Sequence, residues 1–135
     1  MSSERFPAFF DQVPRLVVRD PLAEFLGAAE GGVLEYGYAD AVRLAGHSCP
    51  TVASAYALAH HAMTRLFCGE LPVRGMVQVG FQHPLDEGVT GVIAAVVGLL
   101  TGSIDLPPQA APDVAPTLEA GLADCHGFGY SSIEE

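Results

Sequence analysis

Apolar residues recur at helical spacing through the middle of the chain. Val52, Ala55, Tyr56, Ala59, Met63, Leu66 and Phe67 mark one face of a helix that begins at Pro50 and is stopped by Gly69. Pro50 suits the first helical position, where its missing N–H is not needed. Upstream, Tyr38, Ala41, Val42 and Ala45 line one side of a short helix over 38–45 that Gly46 closes. Residues 73–82 then switch to a period of two. Val73, Gly75, Val77, Val79 and Phe81 share one face and Arg74, Met76, Gln78, Gly80 and Gln82 the other, which predicts a strand. The run from His83 to Gly88 reads as a turn. A third helix over 89–100 is apolar nearly all round, so it belongs between the sheet and another layer or a partner protomer.

The ends carry weaker signals. Residues 1–21 mix Phe9, Phe10, Leu16 and Val17 with Pro7, Pro14 and Pro21, the texture of an arm or irregular helix. Leu22 to Ala29 predicts a short helix ended by Gly31 and Gly32. Beyond Gly102, Pro107, Pro108 and Pro112 punctuate a loop. Pro116 starts a brief helix through Ala123, and Gly127–Tyr130 reads as a short strand or loop. No internal repeat is visible. The succession of two helices, a strand and a helix predicts an α+β fold.

Composition narrows the class. A chain of 135 residues without a compositional break before about residue 104 reads as one domain. Its length lets it bury roughly two thirds of its unfolded surface, so it needs neither disulfide nor metal merely to fold. The apolar fraction of 50% and mean hydropathy of +0.32 imply a full core or an interface between protomers that absorbs the surplus. Six arginines, no lysine and sixteen acidic residues give a net charge of -10. That field argues against nucleic-acid and anionic-membrane partners. The first residues lack the basic and apolar parts of a signal peptide, and the longest apolar stretch, Gly91–Leu100, falls well short of a membrane span. A cytoplasmic location is therefore expected. Three widely spaced cysteines, Cys49, Cys68 and Cys125, predict reduced thiols rather than a disulfide scaffold.

The densest candidate chemistry is the run Gly46-His47-Ser48-Cys49-Pro50. With Pro50 as first helical residue, Cys49 becomes the N-cap, where free N–H groups and the positive end of the helix dipole favour thiolate over thiol. His47 is close enough to share a metal ion with that sulfur or to pair with it. Thiolate with imidazole suits Zn2+ first, with Ni2+, Co2+ or Fe2+ as alternatives. Two ligands leave the site incomplete, and Cys125, His126 and His83 are the further candidates, with His60, His61, Asp86 and Glu87 behind them. The competing reading is a buried small thiol beside a hydrogen-bonded histidine.

The stretch Ala45-Gly46-His47-Ser48-Cys49-Pro50-Thr51-Val52-Ala53, followed by Ala55-Tyr56, resembles the FmdE family, named for one of the subunits of formylmethanofuran dehydrogenase. So do Leu71-Pro72-Val73-Arg74-Gly75, Glu87-Gly88-Val89-Thr90-Gly91-Val92-Ile93 and Leu100-Thr101-Gly102. The resemblance implies an α+β fold with a mixed sheet flanked by helices in a single domain, a homodimer, and bound metal at His47 and Cys49. It also divides the chain into an N-terminal arm or short helices over 1–33, an FmdE-like core over 34–103 and a divergent C-terminal segment over 104–135 packing on the core. Many relatives carry a second cysteine after the third helix where this chain has Ser103. A hydroxyl is a far poorer zinc ligand than a thiolate, which makes Cys125 the candidate replacement.

The function so implied is a metal-binding protein, either a small oxidoreductase or an accessory subunit of a metalloenzyme. A metal held by His47 and Cys49 would polarise a small-molecule substrate or water, and Glu87 would move protons. The alternatives are a non-enzymatic metal-sensing, delivery or structural protein, and a redox or nucleophilic thiol protein using Cys49. Other polar residues have blander expectations. His60, in line with Tyr56 and Met63, reads as a core or interface histidine, and His61 as solvated. Cys68 reads as structural, Arg74 as solvated or salt-bridged, and Asp86 and Glu87 as acids favouring the start of the third helix. Phosphate-loop, dinucleotide-binding, kinase and serine-hydrolase motifs are absent.

Overall fold

The computed structural model describes residues 4–81, 86 and 88–103. Two short strands, β1 (Leu16–Arg19) and β2 (Val33–Tyr36), pair antiparallel from Leu16 opposite Tyr36 to Arg19 opposite Val33. The connection holds the helix α1 (Pro21–Phe25) and a 3-10 turn over Glu30–Gly32. Three longer helices follow: α2 (Tyr38–Ala45), α3 (Pro50–Leu66) and α4 (Thr90–Thr101). The result is a single α+β domain. A parallel bridge between Arg19 and Val73 adds a second pairing direction at one point.

Each helix boundary has a local cause. Asp20 caps α1, its Oδ1 accepting from the amides of Leu22 and Ala23 at 2.9 and 3.2 Å, with Pro21 pre-set at the first position. Asp40 reaches back to the Gly37 amide at 2.7 Å, fixing the start of α2. Gly46 ends α2 and Gly102 ends α4, both left-handed. Gly32 is also left-handed, and a side chain there would meet the Asp20 carbonyl oxygen at 2.5 Å. That close approach brings the chain back to start β2.

The α3 face read from the sequence is the core. Val52, Ala55, Tyr56, Ala59, Met63 and Leu66 are all buried, and α3 packs chiefly against α4. Val18, Val52, Met63, Val96, Val97 and Leu100 are fully enclosed. Truncating a side chain such as Met63 to alanine would cost about 2–5 kcal/mol. α4 buries Ile93, Val96, Val97 and Leu100 and leaves Ala95 exposed on the single chain, so within one protomer it covers the core with one face.

Three expectations need correction. The alternating segment over 73–82 forms no strand among its described residues. Val73 makes one bridge, then Gly75 turns into positive φ and donates its N–H to the Thr101 carbonyl at 2.8 Å. The alternation nevertheless records real burial, since Val77 and Val79 are inside and Met76 is outside. The N-terminal arm holds a strand that was not expected. It divides into a 3-10 helix over Ala8–Gln12 and β1, whose Val18 is completely buried. Finally, α1 is shorter than the predicted 22–29. The turn at His83–Pro84 and the elements expected after residue 103 lie outside the described residues.

Arg74 ties these parts together. Its guanidinium donates to the Asp20 carboxylate at 3.0 Å and twice to the Leu99 carbonyl, at 3.1 and 2.9 Å, while stacking over Tyr36. Its backbone N–H donates to the Arg19 carbonyl. One residue thereby links the start of α1, the end of β1 and the last turn of α4. The Arg74 guanidinium, aided by the Leu22 and Ala23 amides and opposed by burial, holds the Asp20 carboxyl below its ordinary range. A native pKa lowered in this way gives stability that is full above the ordinary carboxylate range. That stability is lost as pH falls through the lowered native value. Asp20→Asn should therefore destabilise the fold by about 2 kcal/mol at neutral pH. The gap to wild type should close in acid, as followed by urea denaturation across pH. Equal stability at neutral pH would contradict the assignment.

Candidate functional site

The site is built at the joint between α2 and α3. After Ala45 the chain turns through Gly46 at φ 79°, a left-handed conformation that itself calls for glycine, since an added side chain would meet nothing there. His47 then folds back so that Nδ1 lies 3.1 Å from the Ala45 carbonyl oxygen. A carbonyl can only accept, so Nδ1 carries a proton and donates it to Ala45. Ser48 is anchored by a 2.8 Å hydrogen bond between its Oγ and the Tyr38 hydroxyl. Cys49 is extended, at φ -148° and ψ 170°, and is the N-cap of α3, with Pro50 in the first turn.

Cys49 is a free thiol, half-buried at the edge of the core. Its side chain lies by the first amides of α3 without closing a full capping hydrogen bond. The Val52 N–H is the largest influence lowering its pKa. Burial acts in the opposite direction, and hydrogen bonding to His47, the Thr51 N–H and the charge of His47 add to the lowering. The net effect favours thiolate. A thiol biased towards thiolate and an imidazole anchored through its Nδ1–H thus come together in one short loop.

A groove of about 670 Å³ opens beside Cys49. The N-terminal arm supplies Phe9, Val13 and Pro14, and α3 supplies Ala53, Tyr56 and Ala57. Two α3 side chains pin the arm in place. The Tyr56 hydroxyl donates to the Pro14 carbonyl at 2.6 Å, and His60 Nε2 donates to the Arg15 carbonyl at 3.1 Å. Burial pushes the Tyr56 phenol pKa up, keeping it a neutral donor. A chain of ring contacts runs from Phe6 through Phe10 and Tyr38 to Tyr56, with centroids 5.6, 4.9 and 5.5 Å apart.

Of the predicted site residues, the structure brings His47 and Cys49 together. His60 and His61 line the groove, His60 half-buried and hydrogen-bonded, His61 exposed. Ser103 is engaged elsewhere: its Oγ donates to Thr101 Oγ1 at 2.8 Å, since the Thr101 hydroxyl proton goes to the Val97 carbonyl. Asp86 sits exposed in a turn. Cys68 is disulfide-bonded, a departure from the expectation of reduced cysteines. His83, Glu87, Cys125 and His126 lie outside the described residues. Among the described residues, no three His, Cys, Asp or Glu side chains are grouped for a metal ion. Sequence reasoning missed Tyr38, Tyr56 and the arm as site components. Only the helical register of the two tyrosines hinted at them, and nothing local announced that the arm would close over α3.

The described residues thus define an α+β protein with a thiol of lowered pKa and an imidazole at a helix start, beside an aromatic-lined groove. No protein-family model matches the chain, and neither the curated proteins nor the solved structures contain a match. In metal-free protein, the Cys49 thiol should titrate below an ordinary cysteine, and His47→Ala should raise its midpoint. The difference in thiolate ultraviolet absorbance between the protein and Cys49→Ser measures this. A midpoint at or above the ordinary value, or one indifferent to His47→Ala, would refute the electrostatic description.

Proposed function

We propose that the protein is an FmdE-like metal-binding protein that holds a divalent ion through His47 and Cys49, serving as a small oxidoreductase or an accessory subunit of a metalloenzyme. The observation that carries this reading is the pairing of a thiolate-favouring Cys49 with a His47 whose Nδ1–H is committed to the Ala45 carbonyl. Metal-bound histidines characteristically give their other ring N–H to a carbonyl or carboxylate, which fixes the tautomer and aims the free nitrogen. The donor chemistry fits zinc best, with nickel, cobalt and iron as further candidates. Water, substrate, a second copy of the chain or His83 and His126 are the sources of the remaining ligands. A bound ion would supply Lewis acidity. His47 and Cys49 would hold it at the mouth of the groove.

A second reading has a specific observation in its favour. The lowered thiol pKa and the groove beside Cys49 also suit a redox or nucleophilic thiol, with His47 as its partner. Elemental analysis of tag-free protein separates the two. Stoichiometric metal in the wild type, lost in both His47→Ala and Cys49→Ala, is the expected result. Protein that stays metal-free under reducing, metal-replete conditions would overturn the metal reading and leave the thiol reading standing.

A further inference from the structure

We infer that the groove between the N-terminal arm and α3 is a binding site for a small neutral molecule with an apolar, ring-sized body. The inference deepens the reading above and rests on it only for what happens at the Cys49 end; binding itself requires only the groove.

The volume of about 670 Å³ falls within the roughly 300–1,000 Å³ of small-molecule pockets. Its walls are carbon. Phe9, Val13, Ala53 and Ala57 offer apolar surface, and the hydroxyls of Tyr38 and Tyr56 are already bonded to Ser48 and Pro14, so neither offers a free polar group to the groove. Phe9 remains 57% exposed at this edge, apolar surface that a ligand would cover. Ala53 and Ala57, one helical turn apart on α3, are the small residues that leave the space open.

Charge selects neutrality. The chain carries sixteen acidic residues, yet among the described residues no Asp, Glu or Arg lines the groove. A cation would find no carboxylate on these walls. An anion would meet the net charge of -10 with no guanidinium among them to receive it. The polar groups that remain on the α3 wall, the rings of His60 and His61, can hydrogen-bond a carbonyl or hydroxyl on the ligand without demanding charge.

The test uses the full chain and the neutral fluorophore N-phenyl-1-naphthylamine, with light scattering on the same samples. Saturable one-site binding is expected, weakened by roughly tenfold or more in Ala57→Phe or Ala53→Phe, which fill the groove. Leu58→Phe, which lies outside the groove on the same helix, should leave binding unchanged and reports whether a larger side chain on α3 disturbs the fold. Bound probe should also slow alkylation of Cys49. Three results would each overturn the inference: no saturable uptake, uptake indifferent to Ala57→Phe, or exclusion of the probe by a dimer whose dissociation restores it. Metal content is read in parallel. Probe binding without metal defeats only the metal reading, and metal without probe binding defeats only this one.

Discussion

The buried face of α3 is the constraint on which everything else depends. Ala55 and Ala59 are small and enclosed, while Val52, Met63 and Leu66 fill the space around them. That packing against α4 fixes the direction of α3 and therefore where its first amides point. Cys49 gains its thiolate character from those amides, and Tyr56 and His60, on the same helix, hold the arm that walls the groove. Core, electrostatics and cavity are three consequences of one packed helix.

Around it, a few polar contacts connect segments that share little apolar contact. Arg74 joins the ends of α1, β1 and α4, and its partner Asp20 is simultaneously a helix cap. The ion pairs of Arg15 with Glu35, Arg19 with Glu24, and Arg43 with Glu4 and Asp40 are substantially exposed, and each contributes little. The two-stranded sheet is short enough that it depends on this scaffold rather than the reverse. Val18, at the centre of β1, is its main anchor in the core.

The helices were legible because their signals are local. A 3.6-residue stripe, Pro50 at a first turn and Gly46 at a closing position each act within a few residues. The strands were not, since four residues give no reliable period and β1 and β2 exist through a pairing that spans α1. The 73–82 segment was misread for a related reason. Its alternation reports which side chains face the core, and hydrogen-bond pairing is a separate requirement that Gly75 breaks by turning towards Thr101. At the site, His47 and Cys49 were visible as types at a helix start. Nothing at positions 9–15 indicated that the arm would return to Tyr56, because that closure is made by a hydrogen bond between residues 42 apart in sequence.

The same loop geometry supplies both what a metal needs and what a reactive thiol needs: sulfur biased towards thiolate and an imidazole oriented by its Nδ1–H. The metal reading makes the stronger demand, because both side chains must bind one ion. Cobalt(II) loading of the purified full chain tests that most directly, through the ultraviolet thiolate-to-metal charge-transfer band. The expected result is a band that saturates with bound cobalt, disappears in Cys49→Ser and shifts or weakens in His47→Ala. Cobalt bound without a thiolate band, or a band that survives Cys49→Ser, would contradict the assignment.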